Sequence, residues 1–320
     1  MPSSDRLPTI TSLSLPGRGR IRSAWWRPAQ GAVATVVLLG GRCEFIERYQ
    51  ELAEYWLDLG YQAFSFDWRG QGLSDRFVPD QRGHIPDFAL LRDDLAWLLA
   101  REVAGHQVGP LVLFGHSMGG LLALMALADR LAPVAATILS APMVAIDTGF
   151  WPPGLARVAA GVICRLGFGR HYAFGEGDYR PLTDDALADS LLTHDTGRLQ
   201  WLRRTLQEQP GLVVGGVTFG WLDAAFRACA RVTEPGVPEG IVTPVLVLSA
   251  GRDRLVPEAS QELLARRLPA SVLHRYPQAR HEVLNEISPI RNRALADITG
   301  FLARHAICGA WPAPHPGPHD

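Results

Sequence analysis

"LVLFGHSMGGLLALMALADRL", residues 111–131, places one serine at the junction of two apolar runs. Ser117 has Gly115 two positions before it and Gly119 two positions after. The first run is short and continuously apolar, as expected of a strand buried on both faces, and the second is long enough for a helix. G-x-S-x-G at such a junction predicts a sharp strand-to-helix turn that lifts the serine hydroxyl above the sheet edge. Glycines on either side remove the Cβ atoms that would collide in that turn. The same turn sets Ser117 at a helix N-terminus, where free N–H groups favour developing negative charge. The bare pattern also fits a glycine-rich helix start; its strand–turn–helix setting favours a nucleophile.

Working outward, short β-type runs alternate with helical patterns. ITSLSL and RIRSAWWR flank PGRG and read as an antiparallel hairpin; VATVVLLG (33–40), YQAFSFDW, GPLVLFGH, VAATILSAP, TPVLVLSAGRD and SVLHRYP read as further strands. Helices are expected at IERYQELAEYWLDLG, PDFALLRDDLAWLLAREVAG, the run after Ser117, PEASQELLARRLP and PIRNRALADITGFLARHA. This alternation predicts an α/β fold, a mostly parallel eight-stranded sheet with helices on both faces. Residues 142–242 are too long for a loop between neighbouring strands and carry helical patterns, so they form an inserted, mainly helical subdomain. The expected organisation is a core over 1–141 and 243–306, that insertion, and a Pro/Gly/His-rich disordered tail over 307–320.

The bulk composition narrows the function. The chain has 320 residues, 47% hydrophobic, with a formal net charge of −1 and no lysine. Nothing there holds nucleic acid electrostatically. The cysteines (Cys43, Cys164, Cys229, Cys308) show no CxxC or metal-like spacing and suit free thiols in a reducing compartment. No charged-then-apolar leader and no membrane-spanning run is present, so a cytoplasmic protein is expected, with room for transient contact at a membrane surface. No phosphate loop, dinucleotide fingerprint or metal-ligand set appears, and no cofactor is expected.

A serine hydroxyl needs a base, and the base needs an orienting carboxylate. In this architecture the order is Ser, acid, His. Asp253 ends the strand after the insertion, with Glu258 the weaker candidate in the next helix. His281 follows the last strand in a loop. His274 lies inside that strand, His305 in the last helix, and His116 adjoins the serine with its side chain expected to point away. An oxyanion hole needs the Met118 N–H and one from the turn after the third strand, VVLLGGRCEF, where the Arg42 main chain is the candidate. A surface arginine in a flexible turn is the plainer reading of Arg42. Asp67 and Arg69 are expected to tie loops beneath the site.

These segments together resemble the α/β-hydrolase superfamily, and more narrowly its monoacylglycerol lipase and bacterial lysophospholipase branch. GHSMGG is similar to the branch's nucleophile elbow, FDWRGQGLS (66–74) to its D-x-R-G-x-G-x-S segment, and GRDRLVP and ARHEVLNE to its acid and base segments. GGRCEFIERYQELAEYW is similar to the oxyanion turn and following helix, with Glu44 and Tyr49 at recurrent positions; LLTHDTGR and GGVTFGWL resemble the bacterial subgroup. The turn departs from the His-Gly form of many relatives. The likeness covers about residues 10–305. It implies Ser117 as nucleophile, Asp253 and His281 as acid and base, and residues 142–242 as a lid over the site.

The insertion's apolar segment, with Phe150, Trp151, Leu155, Val158, Ile163 and Leu166, suits either an acyl chain or packing against the core. Trp221 and Phe219 fit a site lining or the core equally. The expectation is a serine hydrolase of lipid carboxylic esters. A small-molecule esterase, lactonase or carbon–carbon bond hydrolase on the same triad is the alternative, and a catalytically silent binding protein the remote one. The head group, the acyl length and the oligomeric state stay open.

Overall fold

A computed structural model describes residues 6–149, 151–181, 183–184, 187 and 189–307. Phe150, Cys308 and the tail lie outside the described residues. Eight strands form one sheet in the order β1-β2-β4-β3-β5-β6-β7-β8. β1 (Thr9–Leu15) and β2 (Gly19–Trp26) are the expected hairpin, and β2 runs antiparallel to β4 (Tyr61–Phe66). β3 (Ala34–Leu39), β4, β5 (Leu111–His116), β6 (Val134–Ser140), β7 (Val245–Ala250) and β8 (Ser271–Tyr276) pair in parallel.

Every residue of β3, β4, β5 and β7 is buried. That is why these runs show no polar alternation: both faces carry helices. Val37, Leu113 and Val247 point into one core with helices α2 (Phe88–Leu98), α3 (Met118–Ala128) and α7 (Glu258–Arg267). Their neighbours Val36, Phe114 and Leu248 point into the other, against α1 (Gln50–Asp58) and α8 (Ser288–Arg304). Helix starts follow their sequence signals; the Asp87 side chain caps α2 by accepting the Ala89 N–H at 2.8 Å.

The segment between β6 and β7 contributes α4 (Pro153–Ile163), α5 (Thr196–Glu208) and α6 (Phe219–Val232). α6 packs into the core beside α2 and α3 through Trp221, Ala225 and Val232. α4 contributes only Ala160 to the buried set and leaves Trp151, Leu155, Val158 and Val162 exposed around it. Leu166, just beyond, is 67% exposed.

Candidate active site

The end of β5 and the start of α3 meet at Ser117, whose φ of 51° and ψ of −114° lie where L side chains are strained. The turn is over-determined. Ser117 N–H donates to the Ser140 carbonyl at 2.9 Å, and the Ser117 carbonyl accepts from Met143 N–H at 3.0 Å. A Cβ on Gly119 would lie 2.0 Å from the Leu39 carbonyl oxygen, so α3 approaches β3 at a distance only glycine permits. Met118, the first residue of α3, is buried at that helix N-terminus.

The turn after β3 crosses beside the serine: a Cβ on Gly41 would sit 3.4 Å from Ser117 Cβ. Arg42 follows it. Polar groups hold this turn from beneath. Glu44 Oε2 accepts the Gly41 N–H and the Tyr49 hydroxyl, each at 2.5 Å. Gln71 Nε2 donates to the Gly41 carbonyl at 2.7 Å, and Trp68 Nε1 to the Gly40 carbonyl at 2.8 Å. The FDWRGQGLS segment therefore serves the turn as its support. Asp67 and Arg69 tie loops with separate partners: Asp67 accepts from Ile46 N–H (2.9 Å) and Leu73 N–H (2.8 Å), and Arg69 pairs with Asp94 at 2.9 Å.

Asp253 lies just beyond β7 with a fully buried side chain, and its Oδ2 is 2.7 Å from His281 Nδ1. Oδ1 accepts the N–H groups of Leu255 (2.8 Å) and Val256 (3.0 Å). An ionised carboxylate can only accept, so Nδ1 carries the proton and Nε2 keeps a lone pair. Ser117 and His281 line one cavity of about 480 Å³ with Arg42, without a hydrogen bond between the serine and the histidine. Such bonds are commonly long before substrate binds. Glu258 starts α7, and His274 pairs with Asp297 at 2.9 Å; neither lines the Ser117 cavity.

His116 reaches further into the site than its adjacency to the serine suggests. Its ring centroid is 4.9 Å from that of His281, and it lines the same cavity. Burial lowers its pKa, which favours the neutral ring. His116, Glu44 and Glu282 bring one ligand atom each within 4.8 Å of one another, a spacing a cation could use. Arg48 is already there: its guanidinium donates to both Glu282 oxygens, at 2.7 and 2.6 Å, and lies 3.6 Å from Glu44 Oε1. Burial pushes the Glu282 carboxyl up, but Arg48, His116, the Asn285 amide and His281 together more than offset it and hold the group below its usual range. The cluster is thus a closed ion network rather than a metal centre.

The segment between β6 and β7 contributes Leu202 and Leu206 of α5 and Trp221 of α6 to the cavity lining. Trp221 also packs edge-on against Phe88, so it serves core and lining together; Phe219 stacks edge-on with Phe174. The insertion is fastened to the loop that carries His281. Glu282 N–H donates to the Leu192 carbonyl at 2.8 Å, Thr193 Oγ1 to the Asn285 carbonyl at 2.7 Å, and His194 lies 2.8 Å from the buried Glu286.

Comparison with known proteins gives a consistent set of likenesses. Residues 30–288 match the family described as serine aminopeptidase, S33. The chain is 30% identical over 291 residues to the probable lysophospholipase L2 of Haemophilus influenzae, covering 90% of each. It is 31% identical over 290 residues to lysophospholipase L2 of Escherichia coli, covering 87% of this chain and 82% of that one. Against the monoacylglycerol lipase of Mycolicibacterium smegmatis the identity is 25% over 301 residues, covering 93% and 98%. A soluble variant of monoglyceride lipase from Saccharomyces cerevisiae shares the fold with a TM-score of 0.74, at 20% identity over 95% of this chain and 99% of that one.

Proposed function

Because the chain belongs to the S33 serine aminopeptidase family of α/β-hydrolases, we propose that it hydrolyses carboxylic esters of lipids, in the manner of a lysophospholipase or monoacylglycerol lipase. The observation that carries this reading is the Asp253–His281 bond in a cavity shared with Ser117 and walled by Leu202, Leu206 and Val214.

In this reading His281 Nε2 takes the Ser117 proton as the hydroxyl attacks the ester carbonyl. The Arg42 and Met118 amides stabilise the tetrahedral oxyanion; one such donor is typically worth about 3–4 kcal/mol. His281 then protonates the leaving alcohol, Asp253 stabilises the charged ring, and water repeats the sequence on the acyl-enzyme.

Residues 142–242 act as the lid. Its apolar wall holds an acyl chain at roughly 0.8 kcal/mol per buried methylene, with no specific hydrogen bonds needed. The exposed face of α4 lies against the lipid surface that presents the substrate. Leu155, Val158 and Val162 recur at helical spacing there with Trp151 just before the helix, and Arg157 and Arg165 of the same stretch suit anionic head groups.

The test is fatty-acid release from 1-oleoylglycerol and 1-oleoyl-lysophosphatidylethanolamine, with Ser117→Ala as the blank. Release that the substitution abolishes supports the reading. Cleavage of short p-nitrophenyl esters but of neither lipid would keep the serine chemistry and remove the lipid.

A further inference from the structure

Three buried polar atoms on residues lining the Ser117 cavity have no hydrogen-bond partner: Arg42 Nε, Tyr179 Oη and Trp221 Nε1. The other five such atoms, on Trp56, Thr137, Ser249 and Gln261, belong to residues that do not line it. Arginine Nε–H and indole N–H are donors only, and a phenol can donate. A folded chain rarely leaves buried donors unmatched without reason. Trp221 is only 5% exposed, so bulk water does not replace the missing partner.

The three are tied together. The Arg42 guanidinium lies over the Trp221 ring, 5.8 Å from its centroid, and donates to the Gly215 carbonyl. Gly215 N–H donates to the Gln81 carbonyl at 2.6 Å, and Gln81 Oε1 accepts the Tyr179 N–H at 3.1 Å. Arg42 forms no ion pair among the described residues, whereas the other arginine of the cavity, Arg48, is committed to Glu282 and Glu44. Of the cavity's carboxylates, Glu44 and Glu282 belong to that network, and Asp147 and Glu176 are exposed to solvent. The cavity lining is left with one cation that has no ion pair among the described residues and two neutral donors, none of the three orphaned atoms having an acceptor that the protein supplies.

We propose that the Arg42 side chain, Tyr179 and Trp221 form a subsite for the phosphodiester of a lysophospholipid head group. The proposal rests on the lipid-ester reading of the same cavity and narrows it. A phosphodiester carries one negative charge and two non-bridging oxygens, which suits a guanidinium with two flanking donors. The glycerol of a monoacylglycerol offers hydroxyls but no charge.

The experiment compares kcat/KM for 1-oleoyl-lysophosphatidylethanolamine and 1-oleoylglycerol, which share an acyl chain. It uses the full chain and its Tyr179→Phe, Trp221→Phe and Arg42→Lys variants; the lysine keeps the charge and loses Nε–H. The ratio of phospholipid to glyceride should favour the phospholipid in the parent and fall about tenfold in each variant, chiefly through KM. A ratio unchanged within twofold while both rates fall together would make the trio packing and overturn the subsite. Cleavage of oleoylglycerol alone by the parent would also overturn it and leave the ester-hydrolase reading standing. Cleavage of neither lipid would remove that reading and the subsite with it.

Discussion

The Asp253 carboxylate divides its two oxygens between different duties: Oδ2 meets His281 Nδ1 at 2.7 Å, while Oδ1 is held by the amides of Leu255 and Val256. Those two amides fix the plane of the carboxylate, and the carboxylate fixes the tautomer of the ring. Asp253→Asn should therefore be a nearly isosteric change with a large effect. Its oxygen stays on the two amides, its NH₂ faces Nδ1, and the proton moves to Nε2, where it blocks the base. We expect kcat on a p-nitrophenyl ester to fall about 10³–10⁴-fold with little change in KM or Tm. A loss below tenfold would separate Asp253 from the chemistry.

Glu44 is the positioning group with the clearest test. Its Oε2 takes both the Gly41 N–H and the Tyr49 hydroxyl beside the serine. Glu44→Gln keeps the volume and one acceptor oxygen but removes the charge facing Arg48. The expected result is a roughly tenfold lower kcat with KM held within about twofold, because the turn acts on the transition state rather than on ground-state binding. An unaltered kcat would mean that Gln71 and Trp68 hold the turn without it.

Asp67 gives a pH signature. Burial lifts its carboxyl from the ordinary 3.8 to about 6, against the pull of the Leu73 and Ile46 amides and of Arg22. Arg22 also pairs with Glu47, which keeps it charged despite its burial. With the folded value raised, the folded chain holds a proton that the unfolded chain releases. The stability this group contributes is complete below about pH 4 and is lost as pH rises through about 6, a change of about 3 kcal/mol. Carboxyl ¹³C titration of the folded protein should place the Asp67 midpoint near 6. A midpoint below 4 would refute it.

The exposed face of α4 predicts where the protein meets lipid. Leu155→Glu with Val158→Glu should weaken cosedimentation with anionic phospholipid vesicles about tenfold or more and slow hydrolysis of vesicle-borne ester. Turnover of a soluble short ester should change little, since neither residue lines the Ser117 cavity. Equal binding by both proteins would assign that face to something other than a bilayer.

The parts of this molecule written in the sequence are those that local physics dictates. Doubly apolar runs such as ATVVLL and VLVLSA are strands because both faces are covered, and Gly115 and Gly119 mark the elbow because only they fit its close approach. What stayed hidden depends on distant chain segments meeting. Arg48 finds Glu282 across 234 positions, and no spacing rule connects them. The reach of His116 toward His281 follows from how the end of β5 and the loop after β8 converge. Arg69 shares a motif with Asp67 yet pairs with Asp94 on α2. Tyr179 lies in an irregular stretch of the insertion, where neither period nor cap could assign its hydroxyl a role.

The fastening of Leu192, Thr193 and His194 to the loop around His281 divides the insertion by how freely it can change over descent. Residues near 190–195 share carbonyls and N–H groups with the loop around His281, so under the proposed reaction a substitution there disturbs the step every descendant needs. The stretch around α4 touches the core lightly and carries no such debt. Novelty in what the protein accepts should accumulate there, while the segment beside the histidine drifts slowly with the sheet.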